Sequence, residues 1–289
     1  MKRLIVSSLL IAFGIVGSLT VNAQQLDQLF KREDSQNRKP VSLPAVREAD
    51  MIWSKTVWRI IDLREKMNQP LYYPETEVDG RINLINLLMK GIKDGTLTAY
   101  DASGDEEFKT QITYDQVKKI FGAKKVTKKV RNFDTGEMED RVVESEMRSD
   151  EVKQFWLKEI WYFDKQLSSL QVRILGICPI REYTKDTNEQ TTEADAQQEV
   201  LRTPVCWISY PAARQLLVNN EVFNPRNDAQ RLSYDDLFIQ RNFQSYIVKE
   251  SNTYNNRPIT AYLSSEEAMY ESKRIEDEIF NFEQDLWEY

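Results

Sequence analysis

The stretch KEIWYFDKQLSSLQVRILGICPI, residues 158–180, constrains this chain more than any other. It reads as two long runs of β-branched and aromatic residues around a polar break near Leu167-Ser168-Ser169. Residues of that kind fit a pleated surface, and so short a break lets consecutive strands pair only antiparallel. Further strand signals lie nearby. TPVCWISY (203–210) reads as a strand and FKTQIT (108–113) as a short one. KKVTKKVR (124–131) and EDRVVESE (139–146) flank Asp134-Thr135-Gly136 in the manner of a hairpin.

Helix signals bracket this region. At the C-terminal end, Ser264 and Glu267 form a capping box, and Ala268, Ser272, Ile275, Ile279, Phe282 and Leu286 make an apolar stripe behind it. Shorter helices are predicted for RINLINLLMKGIKDG, closed at Gly95, and for YDQVKKIF (114–121), SDEVKQFW (149–156) and PAARQLLVN (211–219). Ser233 and Asp236 start one more. The fold class that follows is α+β: an antiparallel sheet in the middle of the chain, with helices contributed by the N- and C-terminal segments.

Near the N-terminus, VREADMIWSKTVWRIIDLREKMNQPLYYPE (46–75) predicts a helix from about Ala49 to Met67 followed by an aromatic exit. On a helical wheel Ala49, Ile52, Trp53, Thr56, Val57, Ile60, Leu63 and Met67 share one face, which makes Trp53 a core residue. Met51 and Trp58 fall on the other face, so Trp58 packs either within its own chain or on a partner. Pro70 and Pro74 are expected to hold Leu71-Tyr72-Tyr73 extended. Those tyrosines are either structural or a stacking surface. Met51, Trp58, Tyr72 and Tyr73 are therefore the candidate partner interface.

Residues 1–23 have the form of a secretory signal peptide: Lys2 and Arg3, an apolar run from Leu4 to Val21, and small residues ending at Ala23. No cysteine follows to take a lipid. Residues 24–45 read as an extended polar arm, residues 46–289 as a single α+β domain, and the polar stretch 184–199 as an exposed, mobile loop. No later segment is long and apolar enough to span a bilayer. In an exported chain Cys178 and Cys206 suggest a disulfide, the other reading being two buried free thiols on neighbouring strands.

The net charge of −7 disfavours a nucleic-acid partner. Histidine is absent, which excludes His-dependent triads and the commonest zinc ligand, and no glycine-rich phosphate loop occurs. No cofactor and no metal are expected. A two-carboxylate glycan hydrolase stays open as an alternative, although no acidic pair is distinguished by spacing. Lys124, Lys125, Lys128, Lys129 and Arg131 read as a solvated edge strand, or as an attraction to anionic envelope material.

READMIWSKTVWRIIDLREKMNQPLYYP, FDKQLSSLQVRILGICPI and EVFNPRNDAQRLSYDDLFIQRNFQSYIVKESNTYNNRPI together resemble the GldN/PorN family, in order, over about residues 47–259. The resemblance implies a non-enzymatic periplasmic component of the type IX secretion machinery of Bacteroidetes, which in some species also supports gliding. It implies self-association in a ring at the inner face of the outer membrane. It also implies contact with a GldK/PorK-type lipoprotein and with a GldM/PorM-type motor domain. An envelope-binding module gripping peptidoglycan is the other class of function that the exposed aromatics and lysines allow.

Overall fold

Along the chain the strands are β1 (Met51–Asp62), β2 (Ala99–Tyr100), β3 (Gln111–Ile112), β4 (Lys125–Arg131), β5 (Met138–Glu144), β6 (Val152–Asp164), β7 (Ser169–Thr184), β8 (Val200–Pro204), β9 (Trp207–Ser209), β10 (Glu221–Val222), β11 (Leu232–Ser233) and β12 (Tyr246–Glu250). The helices are α1 (Gln69–Tyr72), α2 (Leu84–Lys93), α3 (Tyr114–Ile120), α4 (Tyr210–Val218), α5 (Tyr234–Ile239) and α6 (Ser265–Asp285). This is a computed structural model that describes residues 37–286 apart from 79, 105, 123–124, 132–137, 145–146, 185–199 and 228. The expected signal peptide, most of the arm, the turn at 134–136 and the loop up to 199 lie outside the described residues.

The fold is α+β. Eight strands form one sheet in the order β12-β1-β6-β7-β9-β2-β3, with β8 also paired to β7, and every pairing is antiparallel. At its centre is the hairpin expected from residues 158–180. β6 and β7 pair from Asp164↔Ser169 to Val152↔Arg181. Their turn is set by Asp164, whose Oδ1 accepts from the Gln166 N–H at 2.9 Å, and by Ser168 in the left-handed region at φ 49°.

The first correction concerns residues 49–67. They form a strand, not a helix, and β1 pairs with β6 from Met51↔Asp164 to Asp62↔Gln154. Thr56, Val57, Trp58, Ile60 and Ile61 suit a pleat better than a helix. Both faces of this strand are covered along its second half, so its apolar residues lack clean alternation and mimic a helical stripe. The aromatic exit also differs: Gln69–Tyr72 make one helical turn with Pro70 at its start, where a missing N–H costs nothing. Residues 149–151 form a single 3-10 turn, after which Val152, Phe155 and Leu157 face the core from β6.

One face of the sheet carries all the larger helices. Ile61, Phe155, Leu157, Ile177 and Ile208 pack under α2, α4 and α5 through Leu84, Leu87, Leu88, Leu217, Leu237 and Phe238. Fully burying such a side chain contributes about 1.5–3 kcal/mol. α4 and α5 are further tied by Arg214, which donates from Nε and Nη2 to Asp235 at 3.0 and 2.9 Å, while the Tyr210 hydroxyl donates to the same carboxylate at 2.8 Å. Lower on this face, α6 closes a second cluster over Val57, Ile247, Ile275 and Ile279. Its predicted start is present: the Ser264 hydroxyl donates to Glu267 at 2.8 Å.

On the opposite face Trp58, Cys178 and Trp207 are buried beside Trp156, Val248 and Phe108. Phe108 sits in the connection between β2 and β3, which lies over this face like a strap. Gly176 makes that possible, because a Cβ there would stand 2.5 Å from Phe108 Cζ. The strap is held by Glu106, whose carboxylate accepts from Lys249 at 2.6 and 2.7 Å and whose carbonyl accepts from Lys158 at 2.5 Å.

Candidate interaction surface

The four residues expected to meet a partner are not brought together. Met51 opens β1 and is half-buried, whereas Tyr72 and Tyr73 lie near its far end. A strand rises about 3.3 Å per residue, so the length of β1 separates them by roughly 35 Å. Trp58 lies between and is only 3% exposed. Its ring packs with Cys178 and Trp207, and Lys249 Nζ stands 4.5 Å above its centroid. Trp58 is thus a core residue, and its place in a partner interface is withdrawn: the strap already covers it. Trp53, expected in the core, is half-buried and stacks on Phe282 of α6 at 4.5 Å between centroids.

Tyr73 is 52% exposed and meets Tyr72 edge-on at 4.9 Å. Tyr72 is anchored instead, its hydroxyl accepting from Lys153 Nζ at 2.9 Å. One of these two rings is therefore structural and the other free to meet a neighbour. Sequence reasoning overlooked a second apolar surface. α6 buries Ser272, Ile275 and Ile279 but leaves Met269, Tyr270 and Phe280 more than half exposed. An open groove runs along it, lined by Tyr270, Arg274, Asp277, Asn281, Phe282 and Asp285. The signal was available, since Met269, Tyr270 and Phe280 lie off the predicted stripe in the sequence itself.

A buried charge hub fixes α6 to the sheet. Glu159 is inaccessible to solvent, and its two oxygens accept from Arg241 at 2.9 and 3.3 Å and from the Trp161 indole at 3.2 Å. Arg59 Nε stands 3.3 Å from the same carboxylate, and its Nη1 and Nη2 donate to Glu276 of α6 at 3.2 Å each. Unpaired, a buried carboxylate would be costly; between two guanidinium groups it positions the helix.

The two cysteines correct another expectation. Cys178 and Cys206 are free, buried thiols and form no disulfide. Cys178 lies in β7 and packs into the cluster beneath the strap, whereas Cys206 lies in the connection between β8 and β9 and packs into the main core. Burial raises both thiols, Cys206 to about 12 and Cys178 well above its ordinary value. Neither is a nucleophile in the folded chain.

Two acidic groups in the groove are engaged in ion pairs. Asp277 meets Lys273 at 3.1 Å, and Glu278 meets Arg274 at 3.2 Å. At the end of β1, burial would raise the Asp62 carboxyl, but hydrogen bonds from Arg64 and Gln154 outweigh it and hold it at about 2. Among the described residues no cluster of acidic or thiol side chains is arranged to hold a metal ion. No helix of the described residues is long and apolar enough to cross a membrane.

These features define an α+β protein built around one antiparallel sheet, with exposed apolar groups on the outside of a docked acidic helix and at an aromatic corner among other places. The chain belongs to the GldN family: the family model described as "Gliding motility associated protein GldN" matches residues 46–288. Membership places it among the components of gliding motility and type IX secretion. A search of curated proteins finds no match.

Proposed function

We propose that this chain is a non-enzymatic structural subunit of a periplasmic ring in the type IX secretion machinery, held at the inner face of the outer membrane. The GldN match over residues 46–288 carries the reading. Its partners are a GldK/PorK-type outer-membrane lipoprotein, a GldM/PorM-type motor domain and neighbouring copies of itself. Two surfaces support an assembly role: the exposed Tyr73 at the aromatic corner, and Met269, Tyr270 and Phe280 on α6. Exposed aromatic and methionine side chains are what interface cores are enriched in. Met51 remains a partner-facing residue in this reading, at the opposite end of β1 from the tyrosines.

Purification of the tagged chain from gently solubilised envelopes, followed by imaging, tests the proposal. A ring containing the lipoprotein is expected. Recovery of the chain alone, or bound to purified cell wall in the lipoprotein's absence, would overturn it.

A further inference from the structure

α6 turns toward solvent a face that its own sheet does not use. Met269 and Phe280, both more than half exposed, lie about three turns apart, which sets them in one line along the helix. Lys273 and Asp277 stand between them on the same side, also more than half exposed and paired with each other at 3.1 Å. The two pairs share a centre at Arg274–Ile275. An apolar residue therefore lies at the same distance on either side of that centre. Nearer to it, a cation on one side is matched by an anion on the other.

Such a pattern is complementary to its own reverse. Turned end over end about a two-fold axis at the shared centre, a second α6 brings its Phe280 to Met269 and its Asp277 to Lys273, and each contact occurs twice. A thioether beside an aromatic ring and opposite charges side by side are both favourable. Packed parallel in register, the same helices would set Lys273 on Lys273 and Asp277 on Asp277. Tyr270, the most exposed of the three apolar residues, lies beside Met269 and adds area. We infer that two copies of this chain pair through the outer faces of their α6 helices, antiparallel and about a two-fold axis. This rests on the reading of the chain as a self-associating subunit and names the surface that two copies share. A two-fold contact closes on itself, so a ring built from it repeats as a pair of chains and is continued by a different surface.

The test uses full-length chains in the host, carrying two different tags. One has Glu266→Cys and the other Gln284→Cys, exposed positions near opposite ends of α6 that come together across the axis. Cys178 and Cys206 are buried and stay unmodified. A short bismaleimide should join the two tags through 266 and 284. It should not join 266 to 266 or 284 to 284, which the antiparallel pairing holds roughly 27 Å apart along the helices. The charges are then reversed. Lys273→Glu in both chains should lower the yield about tenfold, as should Asp277→Lys in both, because like charges then meet twice across the axis. With Lys273→Glu in one chain and Asp277→Lys in the other, opposite charges meet again and the yield should return, although the pair within each helix stays broken. Dominant 266–266 or 284–284 products, no product, a crosslink to a different protein, or no recovery in the mixed pair would overturn the inference. The same cells are examined for the ring. A ring that holds the lipoprotein without the 266–284 product means that only this interface is wrong; the chain recovered without the lipoprotein means that the functional reading itself falls.

Discussion

Replacing Glu159 with glutamine isolates the hub that holds α6. The two side chains match in shape, so packing is kept and only charge and acceptor capacity change. In the native chain Glu159 faces Arg241 through two hydrogen bonds and Arg59 at 3.3 Å. The Arg59 side chain is 6% exposed and that of Arg241 is 26% exposed. Breaking a buried pair costs about 3–5 kcal/mol because a charge is left without compensation. Here Arg241 regains some water and Arg59 keeps Glu276, which favours the low end, about 3 kcal/mol. For a domain of this size that is a fall in melting temperature of roughly 6–12 °C. Urea denaturation and thermal melts at neutral pH measure it. Glu276→Gln is the control: its side chain is 43% exposed, and a pair so open to water should cost less than about 1 kcal/mol. Equal, small losses in the two variants would show that Glu159 is not an energetic hub.

Four further outcomes are expected. Trp58→Ala should lose about 3–5 kcal/mol of folding stability, as a core truncation does, and an unchanged melt would return the ring to the surface. Gly176→Ala should destabilise by about 1–3 kcal/mol because its methyl meets the Phe108 ring, and adding Phe108→Ala should remove most of that penalty in a double-mutant cycle. The carboxyl of Asp62 is held at about 2, below its ordinary 3.8, so its stabilisation is present above about pH 4 and is lost as pH falls towards 2. Asp62→Asn should flatten that limb of the stability–pH curve, and an identical acid limb in the variant would contradict the assignment. Finally, thiol labelling of the denatured, unreduced chain should modify both Cys178 and Cys206, and labelling of the native chain neither; a protected pair in the denatured chain would reveal a disulfide.

Where strand-forming residues run unbroken to a turn, or a cap opens a helix with one apolar stripe, the sequence was readable. The β6–β7 hairpin, the Ser264 cap and the Ile275–Ile279 stripe of α6 all appear where periodicity and capping place them. β1 was misread for a physical reason. Val57, Arg59 and Ile61 face the helices while Trp58 faces the strap, so an apolar residue occurs wherever a helical wheel asks for one. Its β-branched content was the better guide. β12 was missed because YIVKE is a short edge strand, defined by its pairing with β1 rather than by its own pattern.

The misreading of β1 displaced the candidate interface with it. As a helix, the segment would have shown Trp58 to a partner; as a strand, it buries Trp58 and leaves Met51 and Tyr73 at opposite ends. Met269, Tyr270 and Phe280 are exposed on α6 instead, a helix whose inner stripe and cap were legible and whose outer apolar residues lie off that stripe. A helix needs one stripe to dock on its own sheet. Met269, Tyr270 and Phe280 do nothing for that docking, and exposed aromatics set among carboxylates offer both area and charge to a neighbour. Glu159, Arg59 and Glu276 hold this face rigid from beneath. A surface fixed in this way loses little side-chain and backbone freedom on binding, so more of its contact energy is available for assembly.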